Sequence, residues 1–144
     1  MRKISFYFEG IKEIKIVRRQ IKHVIEQIIL MEGFDYELIN IVFCSDAVLL
    51  KLNKQFLKHN FLTDIITFNN TEDNFISGEL YTSLERVKEN AKKFDATYRS
   101  EIYRVIIHGI LHLLKYEDKK LQEKRKMREK EDYYLLIFNK RNTL

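Results

Sequence analysis

His108 and His112 stand four residues apart in the segment Val105-Ile106-Ile107-His108-Gly109-Ile110-Leu111-His112-Leu113-Leu114. On a helix, residues i and i+4 lie one turn apart on the same face, so two neutral imidazole nitrogens can converge on one cation. The surrounding residues are apolar on nearly every side, the composition of a helix buried in the middle of a domain. Two polar rings in such a helix need partners, and hydrogen bonds within the core would serve as well as a metal ion. Asp118, six residues beyond His112, is the natural third ligand. A helix ending near Leu114 or Lys115 lets the chain turn that carboxylate back toward His112. The spacing permits a His-His-Asp metal site without requiring one.

The elements that must position this helix follow from periodicity. Ile4, Phe6 and Phe8 alternate as a short first strand. Ile14, Val17, Ile21, Val24, Ile28 and Met31 recur at three- and four-residue steps, the core stripe of a helix that Gly33 can terminate in a left-handed conformation. Tyr36 to Phe43 reads as a strand whose continuous apolar end suggests burial on both faces, and Ser45 or Asp46 can cap a helix running to about Leu57. Asp64 to Phe68 is a third strand, expected parallel to the second through a right-handed crossover. Phe75 to Tyr81 is a fourth, expected antiparallel to the third and at the sheet edge, with Gly78 allowing close backbone approach. Thr82 and Glu85 form a capping box for a helix to about Phe94, and Asp95 to Thr97 separate it from the histidine helix beginning near Tyr98. A charged helix with Leu121, Met127, Tyr134 and Phe138 in register follows Lys119. The expected fold is α+β, with elements in the order β-α-β-α-β-β-α-α-α, a four-stranded mixed sheet and a central buried metal-binding helix.

Composition sets the outer bounds. A chain of 144 residues with 45% hydrophobic content fits one domain, residues 1–144. The single cysteine, Cys44, closes an apolar run and reads as a buried hydrophobe rather than a nucleophile. One cysteine excludes an intrachain disulfide, and no long apolar run or cleavable signal pattern is visible, so a reducing cytoplasm is the expected compartment and no membrane partner is expected. A net charge of +5 biases the surface toward polyanions such as nucleic acid, although charges of both signs are interspersed.

The segment His108-Gly109-Ile110-Leu111-His112-Leu113-Leu114-Lys115-Tyr116-Glu117-Asp118 resembles the signature H-G-x-L-H-L-x-G-Y-D-H of the YbeY family of metal-dependent endoribonucleases. Leu52-Asn53 followed by Leu62-Thr63-Asp64-Ile65-Ile66-Thr67-Phe68 resembles that family's second block, L-N then P-T-D-V-L-S-F, and Gly78-Glu79-Leu80 sits where the family has G-D-I. The order and spacing of these blocks extend the resemblance over essentially the whole chain. Three departures fall at chemically informative places. Asp118 replaces the family's third histidine, which zinc tolerates and which adds a negative charge and a harder oxygen ligand. Lys115 replaces a glycine at the helix end, costing about 1 kcal/mol if the position needs positive φ. Leu57 stands where the family has an arginine that meets RNA phosphate, with Lys58 beside it.

The resemblance implies a single-strand-specific, zinc-dependent endoribonuclease, one Zn2+ per chain held by His108, His112 and Asp118, with another divalent transition metal as an alternative. Its implied role is cytoplasmic maturation of ribosomal RNA, notably the 16S rRNA 3′ end, and ribosome quality control. The implied partners are ribosomal RNA, the small ribosomal subunit and an assembly GTPase. Three protein ligands leave a coordination position for water, whose pKa the cation lowers toward neutrality. RNA is expected across the edge strand near Gly78 to Tyr81, held by Lys58, Lys115 and Lys119. Glu79 is a weak candidate for the general base, its plainer reading being a solvent-facing strand carboxylate. Asp64 reads as a turn residue before the third strand, and His23 and His59 as surface residues. Two rivals remain: a metalloprotease, disfavoured because Gly109 stands where helical zinc proteases carry a glutamate base, and a non-catalytic RNA-binding assembly factor with a structural metal, which Leu57 keeps open.

Overall fold

A computed structural model of the chain describes residues 2–16, 18–56 and 64–142. Strand β1 (Lys3–Glu9) leads to helix α1 (Arg18–Met31), β2 (Asp35–Cys44), α2 (Asp46–Phe56), β3 (Ile65–Asn69), β4 (Phe75–Ser83), α3 (Leu84–Lys93), α4 (Tyr98–Leu113) and α5 (Leu121–Asn142). This is the expected α+β succession around a four-stranded mixed sheet. Leu57 and Lys58, together with His59, lie outside the described residues.

The strand order is β1-β2-β4-β3, with β1 and β4 both parallel to β2 and β3 antiparallel to β4. Two expectations are therefore corrected. The third strand is not parallel to the second; it forms the sheet edge, and β4, expected at that edge, lies in the interior. The short loop does make β3 and β4 antiparallel neighbours, but adjacency alone does not decide which of them meets β2. Packing decides it: Ile76, Gly78 and Leu80 of the longer β4 are all buried, whereas β3 has five residues and only Ile66 is fully buried. RNA cannot lie along an edge at Gly78 to Tyr81, because no edge exists there.

Smaller differences have local causes. Helix α1 begins at Arg18, and Ile14, expected on its stripe, packs against the core from irregular backbone; Met31 is exposed, the buried stripe being Ile21, Val24, Ile25, Ile28 and Ile29. Ser83, not Thr82, caps α3 by accepting from the Arg86 amide at 3.3 Å. The Thr82 hydroxyl instead donates to the Asp64 carbonyl at 2.8 Å, and Glu85 accepts from the Asp46 amide at 2.8 Å, tying α3 to α2. Leu121 is exposed, while Met127, Tyr134 and Phe138 of α5 are buried as expected.

One sheet face packs against α1 and α4, where Ile25, Ile28, Ile39, Ile41, Leu80, Ile106 and Ile107 form the main core. Burying each such side chain is worth about 1.5–3 kcal/mol, enough to fix α4 on the sheet even though two of its residues are imidazoles. On the other face α2 covers Cys44 and Ile66 through Leu49. Burial pushes the Cys44 thiol up to about 12, in keeping with an inert core residue.

Candidate metal centre

Between Glu101 and Leu113 every α4 residue is buried except Arg104, His108 and His112. Their four-residue spacing places them in one row, the single open stripe of an otherwise enclosed helix. The opposite side of α4 lies so close to the sheet that a Cβ on Gly109 would stand 2.2 Å from Leu80 Cδ2 and 2.7 Å from Ile65 Cδ1. Gly109 thus has a packing reason beyond its inability to act as a base. Gly78 plays the reciprocal part on β4, where a Cβ would meet the Phe68 carbonyl at 2.5 Å and Leu113 at 2.8 Å.

Helix α4 ends in a tight left-handed turn. The Tyr116 amide donates to the Leu111 carbonyl at 3.0 Å and the Lys115 amide to the His112 carbonyl at 2.9 Å, the two bonds of a Schellman cap. Lys115 occupies the left-handed position with φ 73°. Asn69 of β3 donates to the Leu113 carbonyl at 3.2 Å and satisfies a further group of the helix end. The turn returns the chain over the histidines, so that Asp118 meets both.

The three expected ligands are brought together. Nε2 of His108 and Nε2 of His112 are 2.9 Å apart, and Asp118 Oδ2 lies 3.4 Å from the first and 3.5 Å from the second. Ligands bound to zinc at about 2.0–2.2 Å in tetrahedral geometry stand about 3.3–3.6 Å from one another, which matches the two sides that meet at Asp118, while the two ring nitrogens are a few tenths of an ångström closer. Each ring is also held from behind: Nδ1 of His108 is 2.6 Å from Glu131 Oε2, and Nδ1 of His112 is 3.0 Å from the Tyr116 carbonyl. These acceptors keep a proton on each Nδ1 and aim both Nε2 lone pairs at the carboxylate oxygen. Two lone pairs and an anion facing one another require a shared cation or proton, and among the described residues these are the His, Cys, Asp or Glu side chains grouped closely enough to hold an ion.

Electrostatics follow the same geometry. Burial, the largest influence on His108, lowers its pKa, but the hydrogen bond and charge of Glu131, with the charges of Asp118 and Asp64, raise it overall. His112 is shifted down, first by burial and then by its neighbour His108. A divalent cation between the two Nε2 atoms and the Asp118 carboxylate would satisfy all three atoms at once. Glu131 in turn binds Arg104 Nη1 at 3.0 Å, and Arg104 reaches Asp132 at 3.1 Å, so the buried acid is itself anchored.

Two depressions meet at Asp118. One, of about 400 Å³, is lined by Thr67, Asn69, His112, Lys115 and Lys119. The other, of about 630 Å³, is lined by Asp64, Arg104, His108, Lys124, Arg125 and Arg128 among others. Lys115 and Lys119, expected at the substrate, thus border the centre, and Asp64, expected only to turn the chain, borders it too. Glu79 does not. Strand alternation points Gly78 and Leu80 at α4 and Glu79 at the opposite face, where it lines a depression with Glu37, Asn40 and Ser77. His23 is exposed.

Residues 8–139 match the family model described as Endoribonuclease YbeY. The chain belongs to this family. An Endoribonuclease YbeY of Porphyromonas gingivalis is 40% identical over 137 residues, covering 95% of this chain and 91% of the relative. One of Amoebophilus asiaticus is 45% identical over 123 residues, covering 85% and 81%. The solution structure of TM1509 from Thermotoga maritima superposes with a TM-score of 0.65 at 30% identity, covering 90% of this chain and 86% of that one.

Glu131, Arg104 and the Tyr116 carbonyl surround the three candidate ligands, and the spacing of those ligands does not point to them. A signal existed for two of them. Arg104 lies four residues before His108 on the same helical face, and Glu131 is an acid on the buried stripe of Met127, Tyr134 and Phe138. A backbone carbonyl carries no such signal.

Proposed function

We propose that the chain is a zinc-dependent endoribonuclease that cleaves single-stranded RNA in the maturation of the 16S rRNA 3′ end and in ribosome quality control. The observation that carries this reading is the convergence of His108 Nε2, His112 Nε2 and Asp118 Oδ2 with both Nδ1 atoms held from behind. When bound, a divalent ion supplies Lewis acidity toward a phosphoryl oxygen and lowers the pKa of water. The chain's own residues do the rest. Glu131 and the Tyr116 carbonyl hold the imidazoles in the ligating tautomer, and Asp118 adds an anionic oxygen ligand. Lys115 and Lys119 on one side of Asp118, and Arg125 and Arg128 on the other, neutralise successive phosphates of a strand passing over the centre. Glu79 has no part in this scheme because it faces away. Lys58 remains a proposed contact.

The grooves on both sides of Asp118, with three protein ligands among the described residues, favour a centre open to substrate over a structural metal. Ribosomal RNA, the small ribosomal subunit and an assembly GTPase are the partners this role requires, in the cytoplasm. No helix among the described residues is long and apolar enough to cross a membrane. Purified protein is tested on a small-subunit rRNA fragment extended past its mature 3′ end, beside His112→Ala. Cleavage in the extension by the wild type alone supports the reading; equal cleavage by both proteins, or by neither, rejects it.

A further inference from the structure

Glu32 lies one residue beyond α1, immediately before the left-handed turn at Gly33. Its carboxylate is 10% exposed and receives three donors: the Tyr116 hydroxyl at 2.5 Å, Lys130 Nζ at 3.0 Å and the Tyr134 hydroxyl. A carboxylate so enclosed is expensive unless it is paired and hydrogen-bonded, and here both oxygens are engaged. Two of the donors come from α5, and the third comes from the loop that joins His112 to Asp118.

Tyr116 is doubly committed. Its hydroxyl binds Glu32, while its carbonyl accepts the Nδ1 proton of His112 at 3.0 Å. Its ring is flanked by two ammonium groups, Lys126 at 5.7 Å and Lys130 at 5.8 Å from the centroid. Lys130 and Glu131 are neighbours on α5: the first reaches Glu32, and the second holds His108. The acceptors behind both imidazoles are therefore tied to one stretch of one helix, directly for His108 and through Glu32 and Tyr116 for His112. Without the carboxylate, two phenols and an ammonium would lose their common partner and Tyr116 would lose its anchor.

We infer that Glu32 is a positioning residue for the metal centre, acting through Tyr116 on the orientation of His112 and on the loop that carries Asp118. This rests on the metal-dependent reading above. It calls for no contact between Glu32 and metal or RNA.

The test uses the full chain and cobalt(II) as the probe, read by its visible d–d absorption, with affinity taken from competition against a chelator. Tyr116→Phe and Glu32→Ala are expected to weaken cobalt binding about tenfold and to alter the d–d band. Glu32→Gln, whose single amide oxygen can still accept from the Tyr116 hydroxyl, should return affinity to within about threefold of wild type. Val24→Ala, a core deletion elsewhere on α1, should lower the melting temperature and leave affinity and spectrum unchanged. Tyr116→Phe removes a single hydroxyl and carries the result if Glu32→Ala does not fold. Wild-type affinity and spectrum in Tyr116→Phe would overturn the inference, as would an equal loss in Val24→Ala. Wild-type protein that binds no cobalt would overturn the metal reading and the inference together, which separates that failure from the first two.

Discussion

Glu131 Oε2 stands 2.6 Å from Nδ1 of His108, placing an acid from the last helix directly behind a candidate ligand on the fourth. The contact makes α5 part of the candidate metal centre rather than a charged appendage. Partners of this kind raise ligand basicity, and their loss typically weakens metal affinity about 10–100-fold. Glu131→Ala should fall in that range by chelator competition. The variant also leaves Arg104 with Asp132 and Glu101 as its acidic neighbours. An unchanged affinity would show that His108 needs no support from α5.

Lys115 holds φ 73° at the end of α4. A side chain in that region costs about 1 kcal/mol relative to glycine, so Lys115→Gly should stabilise the fold by about that amount. The same residue borders the centre as a proposed phosphate contact, and its loss should lower the salt slope of single-stranded RNA binding by about 0.7. Denaturant melts and a salt titration read the two effects separately. A fold no more stable than wild type would mean that the lysine is favoured at this turn by contacts that outweigh its backbone conformation.

At Gly109 a methyl group would enter space held by Leu80 and Ile65. Gly109→Ala should therefore destabilise the protein by about 1–3 kcal/mol, the usual range for overpacking, measured as a shift in urea midpoint at constant slope. A neutral effect would mean that α4 can lift from β4 without penalty.

Burial, the largest influence on Glu32, raises its pKa, but hydrogen bonds from Tyr116, Tyr134 and Lys130 together with the charge of Lys130 bring it below the ordinary 4.5. A carboxyl with a depressed folded pKa contributes stability above its unfolded pKa and loses it as pH falls through the folded one. The stability advantage of wild type over Glu32→Gln should be constant above about pH 5 and shrink below about pH 4.5. Denaturant unfolding at a series of pH values measures it, and a difference independent of pH contradicts the assignment.

The path from sequence to site was uneven for physical reasons. Element type was legible wherever an apolar period was long, as in Ile21 to Ile29, and the His108 and His112 pair announced itself because polar rings interrupt an apolar helix. Strand order was not legible. Ile65 to Phe68 and Phe75 to Tyr81 both look half-buried, and the parallel partner of β2 was settled by the three-dimensional fit of Gly78 and Leu80 beneath α4. Glu131 and Glu32 lie 23 and 84 residues from the groups they steady, His108 and Tyr116, and no local spacing joins positions so distant. The capping of α3 turned on one residue, Ser83 in place of Thr82, because the Thr82 hydroxyl was taken by the Asp64 carbonyl.

Whether His108, His112 and Asp118 hold the ion on which ribonuclease activity depends is decided by cleavage of single-stranded RNA with metal-stripped protein and stepwise add-back. No cleavage is expected after chelation, with recovery on adding about one equivalent of zinc or another divalent transition metal per chain and no recovery in Asp118→Ala at that ratio. Cleavage that survives chelation, or that returns equally in Asp118→Ala, would contradict that role.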